Sequence, residues 1–165
     1  MTKARREYFL LIIGLILLII TGTALYYIQR APNRSRDMAQ VSQLVTSLVA
    51  YEKNISVLGP TETVKRDMQQ GYGQYVTNDL LQAWRADPAH APGRITSSPW
   101  PDHLVIDSIS PQGAGYNVSG HIVMMSSTGE SGQLPVVMIV VKENDQWKIA
   151  AYQEAGPDTS APAQS

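Results

Sequence analysis

The side chains that could bind a metal or transfer a proton are few and widely spaced. The chain has three histidines, His90, His103 and His121, and no cysteine. Two imidazoles on one helical face need a spacing of four residues to share a metal ion, and no pair of these histidines has that spacing. We therefore predict no metal site and no cofactor.

His103 and Asp107 form the one candidate acid–base pair. With the neighbouring Asp102, they could exchange protons with a substrate if all three converged in a cavity. On an alternating strand, residues 103 and 107 share a face, which favours a polar pair at a sheet margin instead. We keep His103, Asp107 and Tyr116 as candidates for lining a cavity, and we predict no catalytic residue.

Trp100 stands between two prolines in segment 88–101, which is too rich in proline for a helix or a central strand. Proline lowers the entropy cost of presenting an aromatic anchor, and Trp is enriched at binding hot spots. The segment is predicted to be a long, stiff loop. Its candidate partner-binding residues are Pro92, Arg94, Pro99, Trp100 and Pro101. The alternative is that Trp100 folds back and closes the open end of the domain.

A long apolar run near the N-terminus predicts contact with a lipid bilayer. Residues 8–28 carry no charge and are mostly Leu, Ile and other apolar types. A helix of about 21 residues rises about 32 Å, which matches a hydrocarbon core of about 30 Å. We predict one transmembrane helix here. The alternative is a cleaved signal peptide with Gly22-Thr23-Ala24 as its processing site.

The charges beside the apolar run predict its orientation. A short tail carrying Lys3, Arg5 and Arg6 resists translocation, whereas long domains cross largely regardless of charge. The expected localisation is the cell membrane, single-pass, with the C-terminal domain outside the cytoplasm. The predicted parts are a cytoplasmic tail, a transmembrane helix, a juxtamembrane linker, an extracytoplasmic domain and a disordered tail, at residues 1–7, 8–28, 29–37, 38–155 and 156–165.

The charge of the outer part argues against nucleic acid as a partner. From Asp37 onward the chain has seven basic and thirteen acidic side chains, a balance of −6. A domain of that sign repels phosphates. We therefore predict no nucleic-acid binding.

Three helices are predicted before the loop. Apolar residues at helical spacing from Asp37 to Leu58 predict a long amphipathic helix with Asp37 as its cap. A second helix is expected to begin at Thr61. A third, capped by Thr77 or Asn78, is expected to run to about Ala86.

After the loop the apolar period changes to two, which predicts four strands in an antiparallel meander. The predicted strands are residues 103–109, 115–126, 134–143 and 146–153. The third is apolar on both faces and is expected to be central. The expected fold class is α+β, with an N-terminal transmembrane helix followed by three helices packed on a four-stranded curved antiparallel sheet.

The closing hairpin carries a resemblance to a known superfamily. Residues 137–149 form an apolar run, a polar turn at Asn144-Asp145 and a strand beginning Trp147-Lys148-Ile149. With the preceding helices, this hairpin resembles the nuclear transport factor 2-like (NTF2-like, cystatin-like cone) superfamily over residues 38–154. The resemblance implies a long first helix packed into a curved sheet.

The complete arrangement also resembles the bitopic subunits of conjugation and type IV secretion machines. Similar domains occur at the base of some penicillin-binding proteins and in many Gram-positive membrane proteins. These relatives mostly act as scaffolds or binding modules, whereas enzymes on this fold place acid–base residues inside the cone. This sequence has no enzyme motif to match, so no residue is carried over as catalytic.

These features lead us to expect a non-enzymatic, membrane-anchored interaction or scaffold module of a bacterial envelope complex. Its partners would be the bilayer and other envelope proteins, or a second copy of itself. Two alternatives stay open. One is a small-molecule-binding domain or an NTF2-like enzyme that uses the cone interior, and the other is a regulator of envelope signalling.

Overall fold

The computed structural model describes residues 34–154. The predicted cytoplasmic tail, transmembrane helix and C-terminal tail lie outside the described residues. Within residues 34–154, no helix has the length and apolar character needed to cross a bilayer. The chain divides into two compact units, residues 1–39 and 40–165, and the described part of the first unit, residues 34–39, is helical.

The first helix, α1, covers residues 34–52. Its fully buried positions recur at the predicted helical spacing and are Val41, Val45, Leu48 and Val49. The prediction that Asp37 caps this helix was wrong, because the chain is already helical at residue 34. The predicted end at Leu58 was also wrong, and Leu58 is 70% exposed.

Backbone pairing with the proline-rich segment explains the early end of α1. The Arg94 N–H donates to the Ile55 carbonyl over 2.7 Å, and the Val57 N–H donates to the Arg94 carbonyl over 3.3 Å. These bonds hold residues 55–57 extended, which is incompatible with another helical turn. Ile55 still enters the core, so its apolar character indicated burial but not helix.

The other two helices match the prediction. α2 covers Thr61–Tyr72 and buries Val64 and Met68. α3 covers Asn78–Ala86, and the Thr77 hydroxyl caps it by accepting a bond from the Leu80 N–H. A short 3-10 turn, Pro88–His90, follows.

Four antiparallel strands form one sheet in the order β1-β2-β3-β4, which confirms the predicted meander. Their bounds are Trp100–Gln112, Gly115–Ser126, Gly129–Glu143 and Gln146–Glu154. β3 is an inner strand, as its apolar residues predicted. The predicted loop ends sooner than expected, because Trp100 and Pro101 belong to the edge strand β1, where a proline is tolerated.

One face of the sheet, called the helix-side face below, carries the core. Its most buried residues are Val118, Ile122, Met138, Val140 and Ile149. The helices lie on this side, because Glu52 of α1 and Trp84 of α3 both contact Tyr152, which lies opposite Met138 in the register. The structure is therefore an α+β fold of three helices and a four-stranded antiparallel sheet.

Candidate functional site

A pocket of about 290 Å³ lies at one end of the helix-side face. It lies among the last residue of α1, the proline-rich segment and the neighbouring ends of the strands. Its apolar lining residues are Ile95, Pro99, Pro101, Ile122, Met124 and Leu134. Its polar lining consists of Glu52, Thr96 and Glu154, with Gly93 contributing backbone. A mainly apolar cavity with a few polar groups is the usual form of a small-molecule site.

The proline-rich segment is tied down where it enters the pocket. The Tyr72 hydroxyl donates a buried bond of 2.7 Å to the Pro92 carbonyl. Gly93 has φ +153°, and a Cβ there would lie 3.0 Å from the Ile55 carbonyl oxygen. Since L side chains rarely adopt this conformation and the space is tight, glycine suits the position best. Residues 92–94 of the segment are therefore fixed by contacts with α2 and with the extended chain that follows α1.

Glu52 is the most deeply buried polar group of the pocket, with 1% of its surface exposed. Its position follows from helical spacing, because residue 52 is four residues after Leu48 and three after Val49, both in the core. Burial raises the pKa of the Glu52 carboxyl well above its ordinary value, and the nearby Glu154 charge raises it further. A bond from the Tyr152 hydroxyl opposes this rise.

The Tyr152 hydroxyl lies between two carboxyl groups. Its oxygen is 2.9 Å from Oε1 of Glu52 and 3.0 Å from Oε1 of Glu154. A phenol has one proton, so it can donate to only one of them. Both contacts are favourable when one carboxyl is protonated and donates to the phenol oxygen. The buried Glu52, with its raised pKa, is the group that takes this proton most readily.

The other two groups of this trio also respond to burial. Burial raises the pKa of Glu154, although the residue as a whole is exposed. Burial, followed by the two carboxylate charges, raises the pKa of Tyr152. Burial and mutual repulsion thus disfavour two negative charges in this trio and favour retention of a proton by one carboxyl.

A row of aromatic rings fixes the position of Tyr152. Trp84 contacts Tyr72 edge-to-face with ring centroids 5.3 Å apart, and it contacts Tyr152 in the same manner at 5.8 Å. Edge-to-face geometry is the preferred arrangement of such pairs. The row therefore links the residue that anchors the loop to the residue that bridges the two carboxyls.

Two of the five residues predicted to bind a partner line this pocket, and the other three do not. Pro99 and Pro101 line it. Pro92 and Arg94 fix the segment through their backbone atoms. Trp100 is half-buried, pairs with Met125 at the start of β1, and is not among the described lining residues. The structure thus does not place Trp100 as a plug in this pocket.

The three predicted cavity residues lie elsewhere. His103 is exposed and contacts Asp102, with Nδ1 and Oδ2 2.9 Å apart. Asp107 is exposed and lies 3.4 Å from Nδ1 of His121. Tyr116 is buried at the other end of the helix-side face, where it packs on Trp147. None of the three is among the described residues that line the pocket.

β1 is less regular than the alternation predicted for residues 103–109. β1 shifts its pairing with β2 between Pro101 and His103, and again between Ile106 and Ser108. Each shift changes the face on which the following residues point. Residues 103, 105, 107 and 109 therefore do not all lie on the same face, as strict alternation would require.

Three residues of the site were missed in the sequence: Glu52, Tyr152 and Glu154. Glu52 could have been found, because it is an acidic residue at a core position of an apolar helical stripe. Tyr152 and Glu154 carry no comparable signal, since polar residues at the end of an edge strand are common. Their meeting with Glu52 depends on the tertiary fold.

Within residues 34–154, no cluster of three or more His, Asp or Glu side chains is arranged to hold a metal ion. Comparison with protein-family models, with curated proteins and with solved structures gives no match.

Proposed function

We propose that the protein is a membrane-anchored, extracytoplasmic domain that binds a small, mainly apolar molecule in the pocket. Of the functions that the sequence left open, this one is favoured by a single observation. An apolar cavity of about 290 Å³ has a buried carboxyl group in its wall. Burying a carboxyl is costly even when a phenol bonds it, and a buried carboxyl with a raised pKa beside a cavity is typical of a binding site.

The membrane anchor is part of this proposal. It rests on the uncharged run of residues 8–28 and on the basic tail before it. The NTF2-like assignment is also a proposal, supported by three helices preceding a four-stranded meander. Protease treatment of intact cells and of inverted membrane vesicles tests the orientation. Cleavage of the domain only in intact cells, once any outer barrier is removed, is the expected result.

Methionine methyl groups offer a direct test of ligand binding. Met124 lines the pocket, whereas Met68 is buried in α2 and is not among the described lining residues. We expect small aromatic compounds to shift the Met124 methyl resonance of the full chain in lipid nanodiscs while that of Met68 stays in place. A library that moves neither methyl, or both equally, would contradict a ligand site here.

A pair of variants on one strand makes the test specific. Leu134→Phe adds volume inside the pocket and should abolish the Met124 response. Val137→Phe adds the same kind of ring on the same strand, but Val137 is 42% exposed and is not among the described lining residues, so this variant should keep the response. Equal loss in both variants would show that the response reports general disturbance of β3.

A second candidate function is docking of another envelope protein, or of a second copy of the chain, on the loop. The supporting observation is Ile95, which lines the pocket yet is 60% exposed. A photoreactive residue at Thr96 should then give a discrete crosslinked product in membranes, and Ile95→Glu should remove it. Recovery of monomer alone would count against docking.

A further inference from the structure

The geometry points to a ligand that carries one ammonium group on a small apolar body, with the ammonium bound between Glu52 and Glu154 and a proton released on binding. This inference rests on the proposed function and specifies the ligand class of the same pocket. Three observations carry it: the sign of the charges that line the pocket, their distances, and the proton that they share.

The ionisable groups in the described lining are all acidic. They are Glu52 and Glu154, and no Lys or Arg is among the described lining residues. An anionic ligand would meet two carboxyls without a compensating charge. A cation gains from both, and the low dielectric around the buried Glu52 strengthens the gain from that carboxyl.

The distances suit one small donor group. Both carboxyls lie within hydrogen-bond distance of the same phenol oxygen, at 2.9 Å and 3.0 Å. Their Oε1 atoms are therefore less than about 6 Å apart, a separation that one ammonium with three donors can bridge. The six apolar lining residues would surround the body of the ligand.

The proton shared by Glu52, Tyr152 and Glu154 sets how many protons are released when one ammonium binds. Without ligand, Glu52–H donates to the Tyr152 oxygen, and the Tyr152 hydroxyl donates to the Glu154 carboxylate. When the ammonium enters, its charge stabilises two carboxylates, so Glu52 loses its proton to the buffer. Tyr152 keeps its proton and can still donate to either carboxylate. Binding thus exchanges one H⁺ for one ammonium ion.

The pH dependence follows from the groups that face Glu52. These are Tyr152 and Glu154 from β4 and Tyr72 from α2. The described lining residues of the loop, β2 and β3 are not ionisable. Below the raised pKa of Glu52, binding must remove a proton, so affinity rises with pH and levels off above that pKa. The tyrosines stay protonated over this range, because the pKa of each is raised.

Three probes of similar shape and different charge test the inference. They are 2-phenylethylamine, 2-phenylethanol and 3-phenylpropanoate, titrated calorimetrically against the full chain in nanodiscs, with empty nanodiscs subtracted. We expect the amine to bind at least tenfold more tightly than the alcohol, and the propanoate to bind most weakly. The heat of amine binding should differ between phosphate and Tris buffers, because a released proton is taken up by buffers of different ionisation enthalpy.

Variants separate charge from shape. Glu52→Gln should weaken the amine at least tenfold, remove the difference between buffers and weaken the alcohol much less. Glu154→Gln, at the more exposed carboxyl, gives a second readout if the first variant folds poorly, with an expected loss of about threefold for the amine only. Glu62→Gln is the control, because Glu62 is an exposed partner of Lys65 at the start of α2.

The outcomes distinguish this inference from the function on which it rests. Binding of the alcohol or the propanoate as tightly as the amine, with a shifted Met124 methyl, would overturn the ligand class and support the pocket. An amine that binds with no difference between buffers would overturn the proton exchange. If none of the three probes moves the Met124 methyl, the ligand-binding function itself fails.

Discussion

The two ends of the helix-side face are filled in different ways. At one end, Tyr116 and Trp147 meet edge-to-face with ring centroids 5.3 Å apart, and the Lys142 ammonium lies 4.9 Å from the Trp147 ring centroid. At the other end, Met124 and Leu134 face two carboxyls across a cavity of about 290 Å³. Both ends belong to the same strands, so the difference lies in the side chains.

Side-chain size and the position of charge account for this difference. Two large rings fill the space at the first end, and its cation stays exposed over the ring face, where cation–π attraction stabilises it. At the second end, prolines and aliphatic chains leave space, and the buried carboxyl of Glu52 has the Tyr152 phenol as its hydrogen-bond partner. The first end is filled by packed rings, whereas the second keeps a buried carboxyl beside open space at a cost in stability.

Removing a ring behind the pocket should have the largest effect. Trp84 is 6% exposed and holds Tyr152 in place, so Trp84→Ala should lower the free energy of unfolding by about 3–5 kcal/mol. Trp147→Ala at the other end should cost about 1–2 kcal/mol, because Trp147 is only half-buried. Urea unfolding of the full chain in micelles, followed by circular dichroism, measures both. Equal losses would show that the two ends are not packed differently.

The difference in stability between the wild type and Glu52→Gln should depend on pH. Because burial raises its pKa in the folded state, the contribution of Glu52 to stability is fully present below the ordinary pKa of the carboxyl and is lost as pH rises through the raised value. Glu52→Gln should remove this loss and be more stable than the wild type by about 1–3 kcal/mol at the alkaline end. Melting temperatures from pH 4 to pH 9 measure the effect. Parallel curves for both proteins would contradict the buried, protonated Glu52.

Removing the hydrogen bond that holds the proline-rich segment should lower the free energy of unfolding by a smaller amount. Tyr72→Phe removes the bond to the Pro92 carbonyl and should cost about 1 kcal/mol. Amide exchange at Arg94, whose N–H bonds Ile55, should become faster. Tyr75→Phe is the control, because Tyr75 holds β4 through its backbone carbonyl rather than through a hydroxyl bond to the loop. Unchanged exchange in Tyr72→Phe would show that the loop is held by other contacts.

The smallest effect is expected on the outer face of the sheet. Val137 is 42% exposed, so Val137→Thr should change the free energy of unfolding by less than about 0.5 kcal/mol. The same urea measurement checks it, with the oligomeric state recorded by light scattering. A loss several times larger, or a change in oligomeric state, would show that this face is covered in solution.

The elements were largely predictable, because their signals are local. The start of α2 at Thr61, the Thr77 cap of α3 and the inner position of β3 all follow from a few adjacent residues. The end of α1 was not predictable, since Arg94 competes for the backbone of residues 55–57 from far along the chain. His103 and Asp107 were kept as cavity candidates for their chemistry alone, and both are exposed, with Asp102 and His121 as their partners.

The amino-acid sequence alone determined the order of the helices and strands, the meander and the apolar stripe that brings Glu52 into the core, because periodicity, caps and turn residues act over short distances. Only the tertiary structure decided where the pocket lies and that Glu52, Tyr152 and Glu154 meet in its wall. Glu52 and Tyr152 are 100 residues apart in the chain. Their hydrogen bond exists because α1 packs on the sheet, and no local pattern encodes that distance.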